Sequence, residues 1–385
     1  MWWRLWSLFL SITLPSGWVL QPPPALSVRT NTMPQGAAVS PDRREIAVVE
    51  SGFNPASLGL YDPGTLRQIA SIALPGAFGR PVWLDARHLL VAGANAQAIL
   101  EIDATTRSVA RIPLGPHTYP IAIARSGDRI AVATDDDGNV RIGTLRSIAT
   151  ARPISVGTHP GGLAFSSDGQ TLFAADRSAS NVKAIDVRTL RVRTIATGLH
   201  PSDLLIVGPR LYVAQSDDDS VGIYRLPDET RVADVFVGEA PGRQRLAGVS
   251  PNALAWADGA LYVSLGAANT IAVIRGTRVV GRIDAGRYPT DVVPLRGRLY
   301  VIDGKGEAVP ANPRFNVFSR SNVDYVAAIE FGSIRAYSLP VAVGAGTPQG
   351  ATGWQRSAPL DSVVRPRGPI QHVFYILKEN RTYDQ

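Results

Sequence analysis

Apolar runs of four to seven residues recur along most of the chain, divided by polar turns, and they recur with a period. The clearest unit opens at Pro160. An apolar run over 162–165 leads to the turn Ser166-Ser167-Asp168-Gly169, and a second run fills 171–175. A polar loop over 176–181 precedes alternating positions at 182–187 and a final stretch at 191–195. Runs this short, rich in Val, Ile, Leu and Tyr, predict strands and not helices. Asp and Gly in the first turn suit a tight hairpin, where a side chain bonds the backbone and φ is positive. Ser40-Pro41-Asp42, Ser126-Gly127-Asp128 and Ala257-Asp258-Gly259 stand in the same slot of other units.

A proline marks each unit, at Pro34, Pro81, Pro120, Pro160, Pro201, Pro251 and Pro289, with spacings of 47, 39, 40, 41, 50 and 38 residues. Four short antiparallel strands per unit, in seven units, predict an all-β fold, a seven-bladed β-propeller over 25–339. No blade buries both of its faces alone, so each depends on its neighbours. The run 25–30 stands ahead of Pro34 as 191–195 stands ahead of Pro201. It is therefore expected to supply the outer strand of the last blade, against 332–337, and so to close the ring.

Leu211-Tyr212-Val213-Ala214, Leu261-Tyr262-Val263-Ser264 and Leu299-Tyr300-Val301-Ile302 are one strand written three times. Followed by a polar loop and Val-x-Ile or Val-x-Val, this strand resembles the YVTN-type, YncE-like propeller repeats of secreted bacterial proteins. The resemblance covers Pro34 to Leu339.

The seventh unit departs from the pattern. Its loop runs from Gly304 to about Phe331 and contains Gly304-Lys305-Gly306 and Pro310-Ala311-Asn312-Pro313; loops of this length are commonly functional. A segment over 340–369, rich in Gly, Pro, Ser and Thr, reads as a linker. Residues 371–378 then form a continuous apolar strand, as in a sheet covered on both faces. This strand runs into Glu379-Asn380-Arg381-Thr382-Tyr383-Asp384. The segment 370–385 resembles the opening of an α/β phosphoesterase domain of the alkaline-phosphatase superfamily, of the phospholipase C and acid phosphatase kind. The resemblance implies that Glu379 and Asn380 ligate a divalent metal ion which polarises a phosphoryl group. The family's hydroxyl nucleophile and remaining ligands would lie beyond Gln385, so this chain is expected to be inactive on phosphate esters alone. No cofactor is expected in the propeller itself.

Residues 1–22 hold one early cation, Arg4, and an apolar stretch from Leu5 to Leu20 interrupted by Pro15-Ser16-Gly17. Sixteen residues fall short of the roughly 20 that span a bilayer, and they suit the apolar core of a secretory signal or, alternatively, an uncleaved anchor. A signal or an anchor would place the chain in the periplasm or outside the cell; that the stretch is neither is the remaining alternative. The chain has 385 residues, 45% hydrophobic and only 18% charged, with 36 Gly and 29 Pro: folded and rich in turns. The absence of Cys excludes disulfides, thiol nucleophiles and zinc ribbons. The formal net charge is +7, yet the Arg residues are scattered among Asp without a basic stripe, which argues against nucleic-acid binding.

His117, His159 and His200, with Tyr119 and Tyr288, fall in loops leading into innermost strands, which ring one mouth of a propeller's channel. Converging imidazoles there would suit metal ligation or acid–base work; inheritance of one turn from blade to blade is the reading that accounts for them better. Lys305 offers a cation to an anionic ligand at the same mouth, or is a solvated loop residue. Asp135-Asp136-Asp137 and Asp217-Asp218-Asp219 lie in loops of that face, but without the spacing of a calcium loop they read as turn residues.

The leading reading is thus a monomeric, extracytoplasmic propeller module whose partner is its own C-terminal catalytic domain. A stand-alone propeller binding a protein or cell-envelope ligand is the alternative, and a lactonase-like propeller enzyme the third. The last rests on fold analogy.

Overall fold

The computed structural model describes residues 26–226, 228–238, 248–306 and 326–340, with the backbone of two paired two-residue strands at Ile12–Thr13 and Val19–Leu20. Seven four-stranded antiparallel sheets follow one another around a ring. Blade 1 is Pro34–Val39, Ile46–Glu50, Ser57–Tyr61 and Gln68–Ala73, from the channel outward. The innermost strands of blades 2 to 7 are Phe78–Trp83, Pro120–Ser126, Pro160–Phe165, Pro201–Val207, Pro251–Ala257 and Pro289–Leu295. Proline suits the first residue of a strand, where its missing N–H costs no ladder bond.

Blade 2 corrects the sequence reading. Its strand opens at Phe78, which faces Ala92 as Pro34 faces Glu50, and Pro81 lies inside the strand. Most blades carry a one-residue bulge after the opening position, such as Gln35 between Pro34 and Gly36. Blade 2 inserts Gly79 and Arg80 before regular pairing resumes at Val82. Gly79 has φ +70°, and a Cβ there would stand 2.5 Å from the Ile121 carbonyl oxygen of blade 3. Only glycine lets the widened bulge pass that neighbour.

The ring closes as the repeat logic requires. Leu26–Thr32 is the outer strand of blade 7 and pairs antiparallel with Phe331–Ser338: Leu26 faces Ala336, Val28 faces Ile334 and Arg29 faces Ser333. The Arg29 guanidinium also lies 3.6 Å from the centre of the Phe331 ring, a cation–π contact that pins the clasp.

The core is divided into seven clusters, one at each junction between neighbouring blades. Val49 and Leu60 of blade 1 meet Leu89 and Leu100 of blade 2; at the closing junction Ile302 and Ile334 of blade 7 meet Ile46 and Val48 of blade 1. Each of these aliphatic side chains contributes about 1.5–3 kcal/mol by leaving water, and none of it is available to a blade standing alone. Polar residues end several second strands and are nevertheless buried: Glu50, Thr134, Asp176, Gln215 and Asp303. They tie down adjacent loops. Gln215 Oε1 accepts from the Gly198 N–H at 2.7 Å, and Glu50 accepts from Ser57 and Tyr61 at 2.7 and 2.6 Å.

Antiparallel order fixes two faces of the ring. The connections between blades, and the loops between second and third strands, lie on one face, here called the mouth face. The turns between first and second strands, and between third and outer strands, lie on the far face. Leu26 opposite Ala336, and the Leu339 N–H on the Gly297 carbonyl at 2.7 Å, put both described ends of the ring on the far face. No helix among the described residues is long and apolar enough to cross a membrane.

Candidate functional site

A cavity of about 380 Å³ opens in the channel at the mouth face. Its lining follows from the strand geometry. Met33, His200, Ser250 and Tyr288 precede their strands at the lip; Gln35, Ile121, Gly161, Ser202, Asn252 and Thr290 form the next layer; Arg80, Ala122, Gly162, Asp203 and Ala253 lie deeper. The wall has two characters. Blades 2 to 4 contribute Phe78, Ile121, Ile123 and Leu163, whereas blades 5, 6, 7 and 1 contribute Ser202, Asn252, Thr290 and Gln35.

The polar side chains are already engaged with the ring. Ser202 Oγ donates to the Pro251 carbonyl at 3.2 Å, Asn252 Nδ2 to the Pro289 carbonyl at 3.0 Å and Thr290 Oγ1 to the Pro34 carbonyl at 2.8 Å. Each latches one blade to the first residue of the next. Ser216 adds a bond to the same Pro251 oxygen at 2.6 Å.

Arg80 crosses the channel. Its Nη1 reaches both Asp203 oxygens of blade 5, at 3.1 and 2.9 Å; its Nε and Nη2 reach Asp291 of blade 7, at 2.8 and 2.6 Å; Nη2 also meets the Leu254 carbonyl at 3.5 Å. The two carboxylates differ. Asp291, 1% exposed, further accepts from the Ala37 and Val292 N–H groups. Asp203, 13% exposed, accepts from the Leu254 N–H through Oδ2, and its Oδ1 holds only the 3.1 Å bond to Arg80. Burial works against the Arg80 charge, but the facing carboxylates outweigh it and raise its pKa. Burial raises the Asp203 pKa as well; Arg80 opposes that and the Asp291 charge adds to it. One guanidinium between two carboxylates leaves an excess of one negative charge.

At the lip, His200 Nδ1 stands 3.8 Å from Asp217 Oδ2. Arg177 Nη2 donates to Asp135 Oδ1 at 2.9 Å, and His159 Nδ1 lies 3.4 Å from that same oxygen. Of the residues singled out from sequence, His200 and Tyr288 line the cavity. His159 lies beside it on Asp135, Tyr119 packs against the core between blades 3 and 4, and His117 is exposed. Lys305 Nζ lies 4.0 Å from Glu330 and 5.9 Å from the centre of the Tyr288 ring. The three histidines do not converge, and among the described residues no three His, Asp or Glu are gathered as a metal site. Asp218 and Asp219 bond loop N–H groups, at Leu199 and at Gly248, Val249 and Ser250, as turn residues do. Glu379 and Asn380, with the linker and the segment 370–385, lie outside the described residues, as do the side chains of 1–22.

Sequence reasoning missed Arg80, Asp203 and Asp291. A signal was present: Pro201-Ser202-Asp203 and Pro289-Thr290-Asp291 place an acid in the same slot of two otherwise apolar strands. Charges at such positions are rarely buried without a partner.

No family model matches the chain, and no curated protein matches it in sequence. Solved structures do match in shape. A streptogramin B lyase superposes with a TM-score of 0.62 at 11% identity, covering 80% of this chain and 97% of the lyase. Virginiamycin B lyase from Staphylococcus aureus gives 0.60 at 11% identity, covering 80% and 98%. A Bacteroides fragilis protein assigned as a 6-phosphogluconolactonase gives 0.55 at 14% identity, covering 67% and 86%. At these identities the likeness is one of fold, the seven-bladed propeller.

Proposed function

We propose that this chain is the ligand-binding β-propeller module of an extracytoplasmic, metal-dependent phosphoesterase, capturing a small organic solute at the mouth of its channel. The observation that carries the binding role is the cavity: about 380 Å³, half apolar and half polar, with charged side chains at lip and depth. Concave sites of this size and mixed lining are where propellers and other folds hold small molecules. The phosphoesterase part rests on the sequence Glu379–Asp384, which resembles that family's metal-binding strand end. The location rests on the apolar stretch before residue 22.

The test is a thermal-shift screen of small solutes against the wild-type chain and Ala122→Leu, which fills the cavity without touching a charge. A bound solute at 100 times its Kd stabilises the folded state by about 2.7 kcal/mol, and the variant should lose that gain. Failure of every solute overturns the binding role. The phosphoesterase role predicts that the gene's reading frame continues past codon 385 for some 300–400 residues, about two further domains, with Asp, His and Ser/Thr motifs. A stop codon directly after Gln385 overturns it.

A second reading, a lactonase- or lyase-like enzyme, is favoured by His200 beside Asp217 on the cavity lip and by the character of the similar folds. A carboxylate can orient an imidazole as general base. That reading expects the 385-residue chain to open lactones and His200→Ala to abolish turnover. Activity unchanged by the substitution removes it.

A further inference from the structure

The charge around the cavity opposes that of the whole protein. The chain carries +7, but around the cavity the two guanidiniums of Arg80 and Arg177 face the four carboxyl groups of Asp203, Asp291, Asp135 and Asp217. Arg80 is engaged at all three of its nitrogens: Nε and Nη2 on Asp291, Nη1 on Asp203, and Nη2 also near the Leu254 carbonyl. The polar wall is similarly oriented. The hydroxyls of Ser202, Ser216 and Thr290 donate into the ring, as do the amides of Gln35 and Asn252, the former to the Ser51 carbonyl at 3.3 Å. The hydroxyls then offer a visitor oxygen lone pairs, while the Gln35 and Asn252 amides each keep a second N–H and Asn252 Oδ1 already accepts from Ser264. Asp203 Oδ1, with its single long bond, is the charged acceptor among them. Opposite stands the apolar arc of Phe78, Ile121 and Leu163.

We infer that the ligand is an organic ammonium: a protonated amine on a small apolar body, its N–H groups on Asp203 Oδ1 and its carbon skeleton against the Phe78–Ile121–Leu163 arc. The inference rests on the binding role proposed above and names its chemistry. An anion at Arg80 meets a guanidinium already held by two carboxylates; Arg177, whose Nε has no partner among the described residues, is the cation left to receive one, and it already faces Asp135. A neutral polyol satisfies the wall oxygens but leaves the excess charge uncompensated.

Three compounds of one shape separate these cases: cyclohexylammonium, cyclohexanol and cyclohexanecarboxylate, titrated calorimetrically into the 385-residue chain at low ionic strength. The ammonium should bind at one site, with the alcohol and the carboxylate each weaker by about ten-fold or more, the worth of one charge-assisted hydrogen bond. Asp203→Asn should cost about ten-fold in ammonium affinity for the same reason. Ala122→Leu leaves the Arg80 bridge intact and should abolish binding through lost space alone. Carboxylate or alcohol binding as tight as the ammonium, lost in Ala122→Leu, overturns the ammonium assignment while sustaining the cavity as a binding site. Ammonium binding unaffected by both variants overturns the site. If none of the three binds, the ammonium assignment falls, and the broader screen decides the binding role separately.

Discussion

Thr290 Oγ1 donates to the Pro34 carbonyl at 2.8 Å, across the junction where the last blade meets the first. The two residues are 256 positions apart, yet the bond repeats what Ser202 does to Pro251 and Asn252 to Pro289. The ring is therefore latched at its closing junction by the same device as at two of its internal ones. Blades 1 to 4 carry Gln35, Gly79, Ile121 and Gly161 at or near that slot, and none of these makes the equivalent bond to the following strand.

Thr290→Val keeps the side-chain shape and removes the donor, leaving a carbonyl short of one partner. We expect a loss of about 1–2 kcal/mol, read as a lower urea midpoint with an unchanged m-value.

Deleting residues 1–32 removes the outer strand of blade 7, with its pairs to Ser333, Ile334 and Ala336. The strand Phe331–Ser338 becomes a bare sheet edge, a template for pairing with another chain. The expected outcome is a broadened thermal transition and concentration-dependent association in sedimentation; a sharp, monomeric transition at the wild-type temperature contradicts the clasp.

Arg80→Met leaves Asp203 and Asp291 facing each other without a cation. Removing one partner of a buried pair costs about 3–5 kcal/mol, and the lower end applies because the Arg80 side chain keeps 34% exposure. The triple variant Arg80→Met, Asp203→Asn, Asp291→Asn should recover much of that loss in denaturant titration. A single variant as stable as wild type means that the bridge is energetically idle.

Glu50 is held by hydrogen bonds from Ser57 and Tyr61, yet burial is the larger influence and raises its pKa. Between its unfolded and folded pKa the native state binds more protons than the unfolded chain, so stability falls as pH rises through that window. Above the folded pKa the penalty is complete. Glu50→Gln removes the charge and keeps one accepted bond, the other surviving only if reversed, with the amide N–H donating. The stability of the variant relative to wild type should therefore improve from pH about 4 to pH about 8, measured by urea titration at each pH. A difference that shrinks with pH reverses the assignment.

The strands were readable because their causes are local: alternation, β-branched and aromatic residues, and Asp or Gly at hairpin turns. The outer strand from the N-terminus was readable for the same reason, since 25–30 continues the repeat. Blade 2 shows where such reasoning fails. Pro81 imitates the opening proline of other units, but the residue in that position is Phe78, because a two-residue bulge shifts the register. The channel bridge fails differently. Arg80 lies 123 positions from Asp203 and 211 from Asp291, and no local pattern joins residues that meet only when the ring closes. The histidines stand between these cases. His159 and His200 share a slot before proline, but His200 itself takes a left-handed φ of 54°, while in the preceding blade Gly157 takes the positive φ. The same letter in the same slot thus faces the cavity in one blade and Asp135 in the other.

Leu26 and Leu339 leave the ring on the side away from the cavity. A tether to a bilayer at the amino end would hold the disc like a dish on a stalk, its hollow turned outward to the surrounding medium. Any catalytic unit joined at the carboxyl end would begin on the underside, next to the stalk. If such a unit follows, a solute held in the hollow would have to pass around the rim to reach it, unless a thirty-residue connection over 340–369, roughly 100 Å at full stretch, brought the unit to the hollow.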